Sequence, residues 1–69
     1  MRQEDILKAL LEEKEADHAL KPNLPTGACT ISVSGVSDTC TSSMTERSCA
    51  AVAKNVGGTY DWDEDGTCS

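Results

Sequence analysis

The sequence predicts a small disulfide-rich α+β protein: an N-terminal amphipathic helix followed by a cysteine-stapled β-α-β-β mini-domain. Three observations predict it. Residues 3–20 contain no Gly or Pro and are rich in Glu, Lys, Leu and Ala, all strong helix formers. All four cysteines, Cys29, Cys40, Cys49 and Cys68, lie behind that stretch. Between the two runs a short segment with Pro22, Pro25 and Gly27. The chain accordingly divides into a helical, leader-like segment over 1–21, a Pro/Gly linker over 22–28 and the mini-domain over 29–69.

In the front helix, Ile6, Leu7, Leu10 and Leu11 fall at helical spacing and make one apolar stripe. Glu4 and Asp5 lie in the first turn, where they favour the helix dipole. Glu4 and Lys8 form an i,i+4 pair in the better orientation. A lone helix of this length is marginal in water. The stripe therefore calls for a partner: the mini-domain, a second copy or another protein. His18, the single histidine, has no second ligand nearby and reads as a solvated helix-end residue.

Pro22 and Pro25 bias Lys21 and Leu24 away from helix, and Gly27 permits a tight turn. Residues 29–34 alternate polar and apolar, which predicts a strand with Ile31 and Val33 on one face. Gly35 to Ser43 reads as turn and loop, with Cys40 inside it. Ser43-Met44-Thr45-Glu46 fits a capping box. A helix through Asn55 follows, with Cys49, Val52, Ala53 and Val56 on one face and Gly57 as a left-handed cap. Thr59 to Trp62 reads as a strand, Asp63 to Gly66 as a turn, and Thr67 to Ser69 as a short return strand.

The composition explains why staples are needed. The chain has 69 residues, is 38% hydrophobic and contains one Tyr, one Trp and no Phe. A core of this size supplies only about 3–5 kcal/mol, and a disulfide closing a loop of about 15 residues adds ~3 kcal/mol. An even number of cysteines suits a disulfide framework, with three pairings open. Disulfides imply an oxidising compartment. Residues 1–20 nevertheless lack the apolar run of a Sec-type signal peptide, and no stretch is long enough to span a membrane.

The net charge is −6. Residues 1–22 carry four Lys/Arg against six Asp/Glu, and residues 23–69 two against six. Neither part is a basic footprint for nucleic acid. A cationic or metal partner suits this balance better.

Asp61, Asp63, Asp65 and Gly66 match the opening D-x-D-x-D-G of a calcium loop, so these three acids are candidate calcium ligands. The chain lacks the acid at position twelve, which Asp38 or Glu46 would have to replace. An acidic hairpin turn with an Asp-Gly dipeptide is the alternative, and no cofactor is required. Ten, eight and eighteen residues lie between successive cysteines, without the close pair of a zinc site. Thr41-Ser42-Ser43 reads as a polar loop and not as a nucleophile, because no base accompanies it. The chain is expected not to be an enzyme.

Two resemblances add to this reading. Residues 49–68, CAAVAKNVGGTYDWDEDGTC, resemble short cysteine-rich repeats of bacterial surface and secreted proteins. Gly57, Gly58, Thr59, Tyr60, Asp65, Gly66, Thr67 and Cys68 carry that likeness, and Thr30 stands where such repeats often have a second cysteine. The whole layout is similar to a leader-plus-core precursor of a ribosomally made, post-translationally modified peptide. That resemblance implies a leader recognised through Ile6, Leu7, Leu10 and Leu11 by a modifying enzyme, a protease or an export transporter. It implies processing near Gly27 and Ala28 and secretion of a core cross-linked through disulfides or thioethers. The expected function is thus an exported peptide precursor. The alternative is a small surface or secreted binding module that uses a Tyr60–Trp62 hairpin and the acidic loop, with calcium as an optional ligand.

Overall fold

The computed structural model describes residues 2–20 and 24–68, with the backbone alone for 17–20. Helix α1 spans Gln3–Leu20. Strands β1 (Gly27–Val33) and β2 (Val36–Met44) form a hairpin, α2 spans Glu46–Val56, and β3 spans Thr59–Glu64. The sheet has the order β2-β1-β3, with β1 antiparallel to both neighbours. The outer strands β2 and β3 therefore run parallel and are joined through α2, a split β-α-β arrangement.

The α+β class and the N-terminal helix agree with the sequence reading, but the order within the mini-domain does not. It is β-β-α-β, not β-α-β-β. Residues 36–43, read as turn and loop, belong with Met44 to β2, while Thr67 and Cys68 lie outside any strand. The reason is chemical. The inward face of β2 consists of Thr39, Thr41 and Met44, so hydroxyls stand where a strand pattern ordinarily shows aliphatics. Two register shifts also break its alternation. One of them adds a residue between Thr41 and Met44, beside Ser43 at φ 61°. This bulge turns Met44 back to the core.

Met44 is fully buried, which moves the start of α2 as well. Its N-cap is Thr45, whose side chain accepts from the Ser48 N–H at 3.2 Å, two residues beyond the expected cap. The expected end is where it was read: Gly57 has φ 72°, and the N–H groups of Gly57 and Gly58 close on Lys54 and Ala53 carbonyls.

Both helices cover one face of the sheet. Opposed residues share a face, so Cys29 and Ile31 of β1 lie with Thr39 and Thr41 of β2 and with Tyr60 and Trp62 of β3. On this inner side Ile6 and Leu10 of α1 join Cys29, Ile31, Met44, Cys49, Val52 and Ala53 in one buried cluster. The apolar face read for α2 is the one that packs, with Val56 at its margin. The Cys29–Cys49 disulfide lies inside this cluster, at 0% exposure for both residues, and ties β1 to α2.

On the outer face the chain end forms a strap. Past β3, the Asp65 N–H donates to the Thr26 carbonyl at 3.0 Å. The chain then crosses β1 to reach Cys40 of β2 through the Cys40–Cys68 disulfide. Ala28, on the outer side of β1, is only 7% exposed.

Candidate binding surface

Strand β3, six residues long, forms one edge of the sheet. Tyr60 and Trp62 alternate with Asp61 and Asp63, so the aromatics face the helices and the acids face outward, opposite Thr30 and Ala28. The Trp62 Nε1–H donates to the Met44 carbonyl at 2.8 Å. That bond satisfies the indole and pins β3 to the end of β2, across β1. Tyr60 is 41% exposed. Asp61, Asp63, Glu64 and Asp65 are all exposed. The expected Tyr60–Trp62 hairpin is in fact one edge strand followed by the strap.

Besides a cleft that Trp62 and Glu64 share with Leu24, Pro25 and Arg47, two shallow clefts flank this strand. On the outer face, Asp61 and Asp63 border a cleft of about 320 Å³ with Thr30, Cys40, Thr67 and Cys68. Towards α2, Thr59 and Tyr60 border a cleft of about 360 Å³ with Ala50, Ala53, Lys54 and Gly58. The first is acidic and polar; the second is walled mainly by small apolar groups.

The three acids of the candidate calcium motif are distributed over a strand and a turn. Asp61 and Asp63 project from β3, and Asp65 occupies the turn at φ 60°. A Cβ at Gly66 would approach Asp63 Oδ2 to 2.5 Å, a contact that turning of the exposed carboxylate would have to relieve. Among the described residues no three His, Cys, Asp or Glu side chains converge as a metal-holding group.

The four stripe residues of α1 separate into two pairs. Ile6 and Leu10 are wholly buried, whereas Leu7 and Leu11 are 40% and 49% exposed. Adjacent helix positions lie about 100° apart, and contact with β2 and α2 covers only one side of the stripe. The Gln3 side chain fastens the first turn to β2 by donating to the Asp38 carbonyl at 3.1 Å.

Gly27 and Ala28, the expected processing point, are the first residues of the central strand and both are buried. A Cβ at position 27 would collide with the Asp63 carbonyl, so Gly27 permits the close approach of β1 and β3. A protease reaches this bond only after β1 leaves the sheet. His18 is described by its backbone alone, and residues 21–23, where the expected helical segment ends and the linker begins, lie outside the described residues.

All four cysteines are paired as disulfides. This selects one of the three pairings, Cys29–Cys49 with Cys40–Cys68. Two disulfides are compatible with an extracellular protein. Among the described residues no helix is long and apolar enough to cross a membrane. Sequence reasoning did not find Glu64 as part of the β3 edge, or the strap. The register that exposes them depends on pairing with β1, which no local motif encodes.

No protein-family model matches the chain, and no curated protein and no solved structure matches it either.

Proposed function

We propose that the folded chain is a non-enzymatic, exported binding module that presents β3 to a protein partner. The observation that carries this reading is the shared core: Ile6 and Leu10 of α1 are buried with Cys29, Ile31 and Cys49. A leader offers its apolar stripe to processing proteins, and half of this stripe is already used within the fold. The surface left with aromatic and charged groups together is β3. Aromatic residues beside polar ones are the usual anchors of protein recognition.

The experiment is an intact-mass measurement on the chain as its producing cells release it. A species that retains α1 and has lost four hydrogens supports the binding module. A product that begins after Ala28, or mass losses in steps of one water, overturns it.

Those last outcomes belong to a second reading, the leader-plus-core precursor. One observation favours it: Leu7 and Leu11 remain exposed at i,i+4 on α1, a surface that a modifying enzyme, protease or transporter can grip. Calcium binding through Asp61, Asp63 and Asp65 is a separate supplement to either reading. Its sign is a higher melting temperature when Ca²⁺ is added, through mass action on the folded state. An unchanged melting curve at millimolar Ca²⁺ removes it.

A further inference from the structure

We infer that the outer edge of β3 takes up an extended, basic segment of a partner protein as a fourth strand; this names the partner class for the surface proposed above and rests on that reading. Three features lead there. The first is backbone geometry. The bond from Asp65 N–H to the Thr26 carbonyl makes 26 and 65 a hydrogen-bonded pair. In an antiparallel ladder such pairs alternate with non-bonded ones, so 28–63 and 30–61 are bonded pairs, while 27–64, 29–62 and 31–60 are not. The backbone N–H and C=O groups of Tyr60, Trp62 and Glu64 therefore point away from β1, and among the described residues no strand pairs with β3 on that side.

The second feature is charge. Asp61, Asp63, Glu64 and Asp65 crowd this edge and are exposed. Among the described residues the ion pairs both belong to Arg2; no described cation forms an ion pair with these acids, although Arg47 shares a cleft with Glu64. The third feature is the contrast between the two sides of the strand. An incoming strand meets Asp61 and Asp63 on the outer face. On the helix side it meets Tyr60 and the cleft beside Ala50 and Ala53. The complementary sequence alternates Lys or Arg with small apolar residues. Main-chain bonds would supply affinity and the alternating side chains would supply selectivity.

A second copy of the chain is a poor occupant of the same edge. Pairing β3 with β3 sets acids against acids, and directly opposed like charges destabilise a ladder. The edge is thus closed to its own kind and open to a basic strand.

The test uses the full oxidised chain and a short synthetic peptide that alternates Lys or Arg with Val or Thr. Controls are the same peptide N-methylated on its ladder-forming amides, and a version with Glu in place of the basic residues. The expected result is saturable binding with slowed amide exchange and the largest shifts at Tyr60, Trp62 and Glu64. N-methylation lowers the affinity by about ten-fold or more, as loss of ladder bonds worth 1–2 kcal/mol requires. The Asp61→Asn/Asp63→Asn double variant binds at least about five-fold more weakly, and added salt weakens the parent complex. The Glu peptide does not bind.

Equal binding of the methylated and parent peptides overturns strand addition, since charge alone would then explain the complex. Absence of any binding by the basic peptide overturns it too, as does protection of the same amides by concentration-dependent self-association. None of these outcomes touches the intact-mass result, so the partner class and the binding-module reading fail separately.

Discussion

The two disulfides do different things for the same sheet. Cys29–Cys49 lies on the inner side, fully buried among Ile6, Leu10, Ile31 and Val52. Cys40–Cys68 lies on the outer side, with Cys68 exposed and Cys40 half-buried. They close loops of similar length, with separations of 20 and 28 residues, so their effects on the unfolded chain are alike, about 3 kcal/mol each. What separates them is the folded state. The inner bridge is also core volume, and the outer one is a clasp on a strap. Equal entropic gain therefore does not mean equal importance.

Replacing the inner pair breaks the comparison most severely. Cys29→Ala/Cys49→Ala loses the loop constraint and leaves a void in a core of eight residues. The expected loss is about 5 kcal/mol, enough to unfold a chain of this size in a denaturant or thermal melt. Next is Leu10→Ala, expected to lower stability by about 3–4 kcal/mol, set against Leu11→Ala, which stays within about 0.5 kcal/mol. Equal effects of the two would separate α1 from the common core. Cys40→Ala/Cys68→Ala follows at about 3 kcal/mol; its amide spectrum retains the inner-face pattern and changes mainly around Ala28, Asp63 and residues 65–68.

Mild thiol reductant sharpens the same contrast without mutation. Exchange requires access for the attacking thiolate. Alkylation and peptide mapping should label Cys40 and Cys68 well before Cys29 and Cys49, and simultaneous labelling would mean that the two faces open as one unit. Trp62→Phe is expected to cost less than any of these core and disulfide changes, about 1 kcal/mol, because the Met44 carbonyl loses the indole donor while the aromatic packing is retained.

The inner side was also the more legible in the sequence. Periodicity found α1, the packed face of α2 and the Gly57 cap, because aliphatic spacing and a left-handed glycine are local signals. Strand β2 escaped because Thr39 and Thr41 are buried hydroxyls, and Thr39 Oγ1 donates to the Ser37 carbonyl at 3.4 Å, within its own strand. A bulge at Ser43 then hides Met44 from any period-two pattern. The division of Ile6 and Leu10 from Leu7 and Leu11 is set by where β2 and α2 lie against the helix, which is long-range information. Tyr60, Trp62 and the acids were legible as a strand and an acidic run. Their exposure along a sheet edge was not, because edge position follows from the order β2-β1-β3.

The interleaving of the two bridges gives the backbone a further property. The loops 29–49 and 40–68 overlap across residues 40–49. Every peptide bond between Cys29 and Cys68 therefore lies within at least one closed ring. A single cut anywhere in that span adds one water to the mass and releases nothing, so the nicked molecule remains one covalent body and can re-close its sheet. Helix α1 has no such tether. A single cut ahead of β1 leaves it held by non-covalent contacts, among them those of Ile6 and Leu10 and the Gln3 bond to Asp38, and dilution can then carry it away.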